Sequence, residues 1–250
     1  MKIIATDLDG TLFKGDTLID GVRESILELK NNKIEIYFTT NNSSQSPLEI
    51  RSKLVSLLNL DIDVDKIITP LIIFKNLFSK KYDKLYVYGS DGLKKYIEML
   101  NIEIVNLDKA ETILIGRKEI NNEQEIRDII SLIKNGTQVY CLNKDLTYPT
   151  EFGEQPGNGA VVKIIEDELS INIESLGKSG ELYPSYFITN GISIDYVIGD
   201  RVDTDIMFGK YLNAISFLVS SGVDNYLDKN LADYQLNNFS DVIPFIVEDS

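Results

Sequence analysis

Three short apolar runs each end in oxygen-bearing side chains, and this constrains the chain more than any other feature. Ile3-Ile4-Ala5-Thr6 runs into Asp7-Leu8-Asp9-Gly10-Thr11-Leu12. Ile34 to Thr39 runs into Thr40-Asn41-Asn42-Ser43-Ser44. Tyr196-Val197-Ile198 runs into Gly199-Asp200-Arg201-Val202-Asp203-Thr204-Asp205. Short, nearly continuous apolar runs read as strands buried on both faces, the habit of a parallel sheet. Ligands of open parallel sheets bind outside the carboxyl ends of the strands. Such a fold can bring Asp7, Thr40 and Asp200 together although they are far apart in sequence.

The rest of the chain keeps the same rhythm. Val22, Ile26 and Leu29 share a helical face, and Ser46-Pro47 starts a second helix carrying Ile50, Leu54 and Leu57. Strands alternating with helices build a parallel sheet covered by helices. The pattern restarts near Tyr82. Strands are predicted at Leu85–Tyr88, Thr112–Ile115 and Thr137–Leu142, and helices at Ser90–Leu100, Gln124–Lys134 and Val161–Leu169. It returns with a strand at Tyr196–Ile198, a helix at Thr204–Leu212 and a strand at Ala214–Val219. The predicted organisation is α/β, a Rossmann-like core in two parts, 1–80 and 176–250, around a middle block 81–175.

The polar ends suggest a chemistry. Asp7 and Asp9, at i and i+2 of an extended segment, point to one side. Like charges so placed oppose each other's ionisation. A hard divalent cation such as magnesium, which takes oxygen ligands, removes the conflict. Gly10 allows a sharp turn and Thr11 can close it by hydrogen bonding. The bland alternative is a solvated turn. Thr40 to Ser44 offer hydroxyls, amides and backbone N–H groups, which a phosphate needs, or else form a polar Asn turn. Gly177-Lys178-Ser179 precedes a helix expected from about Pro184, and its lysine can balance a phosphate and the aspartates, although a lone lysine is commonly a surface residue. Asp203 and Asp205 also suit the start of the following helix, where the dipole favours carboxylates.

Composition closes several other routes. There is no histidine, so Ser-His-Asp and Cys-His mechanisms and histidine-based zinc sites are excluded. Proton transfer then falls to a carboxylate, Lys, Tyr or water. A formal net charge of −14 argues against nucleic acid or an anionic membrane surface as partner. The single cysteine, Cys141 in Val139-Tyr140-Cys141-Leu142, reads as core; no internal disulfide can form, which fits the reducing cytoplasm. The chain opens on a strand rather than an apolar leader, and no apolar run approaches the ~18 residues of a membrane span.

Taken in order, the four motifs resemble those of the haloacid dehalogenase-like superfamily of aspartate-nucleophile phosphatases. The size and place of the middle block are similar to the large C2-type cap of the nucleotide, p-nitrophenyl phosphate, phosphoglycolate and pyridoxal phosphate phosphatases. Asn143-Lys144-Asp145 and Pro156-Gly157-Asn158-Gly159-Ala160 resemble that cap's own signature. The resemblance implies a magnesium-dependent hydrolase of small phosphate monoesters, such as a sugar phosphate or nucleotide, working through an aspartyl-phosphate. By that resemblance Asp7 is the nucleophile and Asp9 the general acid/base. Thr40, Asn41 and Lys178 bind the phosphoryl group, Asp7, Asp9 and Asp200 bind the metal, and Asp205 supports it from behind. Ser179 departs from the proline usual after the lysine. The loop Asn143–Gly159, with Tyr148, Glu151, Phe152 and Glu154, is expected to choose the substrate.

Competing readings fit less well. A dehalogenase has no use for Asp9 or Asp200, since a halide leaves without a proton. A phosphomutase or another phosphoryl transferase needs the same core, and a non-catalytic phospho-ligand-binding protein shares its outline. Receiver domains, phosphorylated on aspartate, are about half this length. A homodimer through the cap is the oligomer the resemblance suggests.

Overall fold

The computed structural model describes residues 1–78, 84–118, 122–150, 153–221 and 231–247. The predicted restart at Tyr82 and the boundary between residues 80 and 81 lie outside the described residues. The chain forms two compact units: Met1–Thr40, Pro47–Thr69 and Pro184–Ser250 make one, and Asn41–Ser46 with Pro70–Tyr183 make the other.

The first unit is built on a parallel sheet of six strands. Their order is Tyr234–Leu236, Ile215–Val219, Tyr196–Gly199, Ile3–Thr6, Glu35–Thr39, Ile67–Ile68. Every neighbouring pair is parallel. Ala5 lies opposite Tyr37 on one side and Val197 on the other. The chain winds outward from Ile3–Thr6 in one direction, then returns to fill the other side. The order therefore reverses between Ile3–Thr6 and Tyr196–Gly199, a switch point where the strand ends open a crevice.

Helix Val22–Asn31 buries Val22, Ser25, Ile26 and Leu29. Helix Pro47–Leu58 buries Ile50, Leu54 and Leu58 at i, i+4 and i+8. Leu58 thus completes the stripe, while Leu57 is only partly buried against it. Each fully buried Leu or Ile contributes about 1.5–3 kcal/mol. The strand pairs Phe13–Lys14/Thr17–Leu18 and the edge strands Ile67–Ile68 and Tyr234–Leu236 carry two or three residues each. Such lengths leave no periodicity to read, which is why the sequence did not announce them.

The second unit has its own four-stranded parallel sheet, ordered Glu174–Ser175, Gln138–Cys141, Thr112–Ile115, Leu85–Tyr88. Helix Asp91–Met99 is capped by Ser90, whose Oγ accepts the Leu93 N–H. Helix Glu123–Lys134 is capped by Asn122 in the same way, through the N–H groups of Gln124 and Glu125. Helix Asn158–Leu169 starts three residues before the predicted Val161. Ile113, Ile115, Ile129, Cys141, Val161 and Ile165 form the core of this unit. Burial pushes the Cys141 thiol up to about 12, so it stays protonated and inert. An antiparallel pair, Thr147–Thr150 with Gly153–Pro156, occupies the predicted selection loop, but Glu151 and Phe152 lie outside the described residues. No helix among the described residues is long and apolar enough to cross a membrane.

Candidate active site

Three adjacent strands of the six-stranded sheet deliver Asp7, Thr40 and Asp200 at their carboxyl ends. The Asp7 N–H donates to the Ile198 carbonyl at 2.8 Å, one residue past the end of strand Ile3–Thr6. That bond pins Asp7 beside strand Tyr196–Gly199. Asp200 follows that strand directly. Thr40 N–H donates to the Ile68 carbonyl at 3.1 Å and Thr40 is buried.

Asp205 reaches the same place by a different device. The helix predicted at Thr204–Leu212 begins instead as a π-helical turn, Val202–Ile206, followed by an α-helix, Met207–Tyr211. The Arg201 carbonyl accepts from both Asp205 N–H (3.0 Å) and Ile206 N–H (3.2 Å), which widens the turn. The Asp205 carboxylate folds back to accept the Arg201 N–H at 3.1 Å. It packs directly over Gly199, where a β-carbon would collide with its Cβ, Cγ and Oδ2. Asp203 turns outward and is held by the Arg201 guanidinium at 3.0 Å.

One carboxylate oxygen from each of Asp7, Asp200 and Asp205 lies within 4.8 Å of the others. Asp200 and Asp205 are only 1% and 2% exposed. Buried charges are costly unless paired or bound to a metal. Three hard oxygen donors so close suit magnesium or calcium. Asp9 is exposed, and its carboxylate is not a member of this trio. The reason is local: Leu8 carbonyl accepts from the N–H groups of Thr11, Leu12 and Phe13, so the chain turns away from the extended path at once. Backbone bonds close the same turn, with the Gly10 N–H donating to the Phe13 carbonyl at 2.8 Å. The buried Thr11 hydroxyl has no hydrogen-bond partner among the described residues, contrary to its predicted closing role.

Asn41 and Lys178 meet in the other unit. The Asn41 side chain is used at both ends: Oδ1 accepts the Lys178 backbone N–H at 2.8 Å, and Nδ2 donates to Asp145 Oδ1 at 3.1 Å. Asn143 Nδ2 donates to the Asn41 carbonyl at 2.9 Å. Asn158 Nδ2 in turn donates to the carbonyls of Asn143 (2.8 Å) and Ile115 (3.2 Å). Lys178 is 3% exposed, so it is not the surface lysine that a lone Lys suggests. Ser179 sits in a tight turn closed by the Gly180 N–H on the Gly177 carbonyl at 2.9 Å.

A parallel α/β sheet with clustered carboxylates at its switch point narrows the possibilities, and sequence comparison supplies the class, a hydrolase. Residues 4–103 match the haloacid dehalogenase-like hydrolase family model, and residues 194–242 match a second HAD-hydrolase-like model. An acid sugar phosphatase of Staphylococcus epidermidis is 30% identical over 227 residues, covering 89% of this chain and 87% of that protein. The 5'-nucleotidase YutF of Bacillus subtilis is 25% identical, covering 96% of each. The solved p-nitrophenyl phosphatase from Archaeoglobus fulgidus superposes with a TM-score of 0.87 at 25% identity, covering 98% of each chain. The chain belongs to the haloacid dehalogenase-like hydrolase family.

Proposed function

We propose that this phosphatase hydrolyses small phosphate monoesters, a sugar phosphate, a nucleotide or a similar metabolite, with magnesium and through an aspartyl-phosphate on Asp7. The observation that carries the reading is the trio of Asp7 and Asp200, at adjacent strand ends, with Asp205 from the π turn that follows. Magnesium held by these three carboxylates, rather than by Asp7, Asp9 and Asp200, supplies charge neutralisation to the phosphoryl oxygens when bound. A carboxylate oxygen of Asp7 attacks phosphorus, the ester P–O bond breaks, and the leaving oxygen takes a proton from Asp9. Asp9 then accepts a proton from water as that water attacks the aspartyl-phosphate, and inorganic phosphate leaves Asp7. Splitting the reaction in this way replaces one hard step by two easier ones. An exposed Asp9 outside the trio supports a proton-transfer role over a metal-binding one.

The Thr40 hydroxyl, the Asn41 backbone N–H and the Lys178 ammonium bind the phosphoryl oxygens in this reading. The Asn41 side chain is already engaged, so its backbone N–H takes its place. Residues 70–183 act as the cap, with the loop Asn143–Gly159 choosing the ester, and the buried free thiol fits a cytoplasmic enzyme. The test is a panel of phosphate monoesters with magnesium or with a chelator. Turnover is expected only with the metal. Asp7→Asn abolishes turnover and the trapped acyl-phosphate. Asp9→Asn keeps more activity on p-nitrophenyl phosphate than on alkyl phosphates, because a good leaving group needs less protonation. Equal loss on both would assign Asp9 another role.

A further inference from the structure

We propose that Asn41 is a positioning residue that ties the backbone of Lys178 to Asp145 of the cap loop. The proposal rests on the phosphatase reading above and adds a route by which the cap loop sets the position of the phosphate-binding lysine.

Four observations support it. The Asn41 side chain accepts from the Lys178 N–H (2.8 Å) and donates to Asp145 Oδ1 (3.1 Å), so one planar amide spans both groups. The assignment of its oxygen and nitrogen is fixed by chemistry, since an N–H must meet oxygen and a carboxylate oxygen must meet a donor. The approach needs a glycine before the lysine: a β-carbon at Gly177 would stand 2.7 Å from Asn41 Oδ1 and 3.2 Å from Asn143 Cβ. Both ends are braced. Asn143 holds the Asn41 carbonyl (2.9 Å), its own Oδ1 accepts the Asp145 N–H (3.4 Å), and the buried Asn158 holds the Asn143 carbonyl (2.8 Å). Finally, Asn41 directly follows Thr40, the residue that ends strand Glu35–Thr39. A shift of Asp145 therefore reaches Lys178 through one side chain.

Asparagine supplies the acceptor and the donor from one short planar group. Aspartate accepts from Lys178 but presents a second carboxylate to Asp145. Alanine loses both bonds. The decisive experiment is an exchange of partners. Asn41→Asp lowers kcat/KM for p-nitrophenyl phosphate by about ten- to a hundredfold, the range for a lost charged hydrogen bond. Adding Asp145→Asn restores a donor facing a carboxylate, and most of the loss returns. Amide exchange of the peptide around Gly177–Gly180 is followed in the same proteins. It quickens in Asn41→Asp and returns to the wild-type rate in the double variant. Recovery of both readouts supports the coupling. A double variant no better than Asn41→Asp in either readout overturns it, as does an Asn41→Asp protein unchanged in both. Should the wild type hydrolyse no ester, the phosphatase reading fails, and amide exchange alone still decides whether Asn41 ties Lys178 to Asp145.

Discussion

Replacing Asp205 by asparagine separates the metal-binding role of the trio from every catalytic step. The side chain keeps its volume, and its oxygen can still accept the Arg201 N–H. Two ionised carboxylates no more than 4.8 Å apart repel by at least about 3.5 kcal/mol at an effective dielectric of about 20. Each member of the trio enters two such pairs, so the substitution removes roughly 7 kcal/mol of gross repulsion. Protons and neighbouring dipoles relieve part of that strain in metal-free protein, leaving a net gain of about 1–3 kcal/mol. A chain of this size then melts roughly 3–10 °C higher in chelator. Magnesium reverses the order. The wild type gains about 2.7 kcal/mol at a hundredfold excess over its dissociation constant, and the variant, with one carboxylate fewer, gains little. Melting curves by circular dichroism, in chelator and in magnesium, read both effects without any substrate. A variant that melts at or below the wild type in chelator, or that gains as much from magnesium, refutes the assignment of the trio as a metal site.

Gly199→Ala drives a methyl into the Asp205 carboxyl group and costs about 1–3 kcal/mol of stability. It also weakens magnesium activation of hydrolysis by roughly 10- to 100-fold, the range seen when a ligand's support is disturbed; an unchanged magnesium titration would show that Gly199 does not hold Asp205 in place. In the other unit, burial alone would raise the Glu125 carboxyl, but hydrogen bonds from Lys118 (2.6 Å) and the Tyr86 hydroxyl (2.6 Å) outweigh it and hold Glu125 below its ordinary 4.5. A lowered carboxylate stabilises the fold above the unfolded-state value and loses that contribution as pH falls through the folded-state value. Glu125→Gln should therefore be about 1–2 kcal/mol less stable than wild type at neutral pH. Denaturant titrations should show that gap closing below pH 4.5, and a gap independent of pH would mean the charge plays no part.

Much of the fold was legible because its elements are long enough to carry a period. The strand predicted at Thr112–Ile115 has those bounds in the structure, and helix Glu123–Lys134 begins one residue before its predicted start. Val22, Ile26 and Leu29 face inward as their spacing requires. The three apolar runs ending in Asp7, Thr40 and Asp200 also announced a parallel sheet with its chemistry at one edge. Buried strands show their burial in composition, and a parallel sheet puts every such end on the same side.

Other features were settled only by tertiary structure. The spacing of Asp7 and Asp9 suggested a shared metal site, but the Leu8 carbonyl captures three following N–H groups, the chain turns there, and the Asp9 carboxylate is not part of the trio. Asp205 read as the start of a helix and, by the family resemblance, as a support behind the metal site. A π turn, which has no sequence period of its own, and the missing side chain of Gly199 carry it into the trio with Asp7 and Asp200. Asn41 looked like part of a polar loop, yet both ends of its amide are taken by residues more than a hundred positions away. Sequence determines which residues lie on strands and which strands end in oxygen, because local periodicity and composition are set by neighbours along the chain. Which carboxylates cluster, and which amide holds the lysine, depend on hydrogen bonds between distant segments, and those directions exist only once the chain has folded.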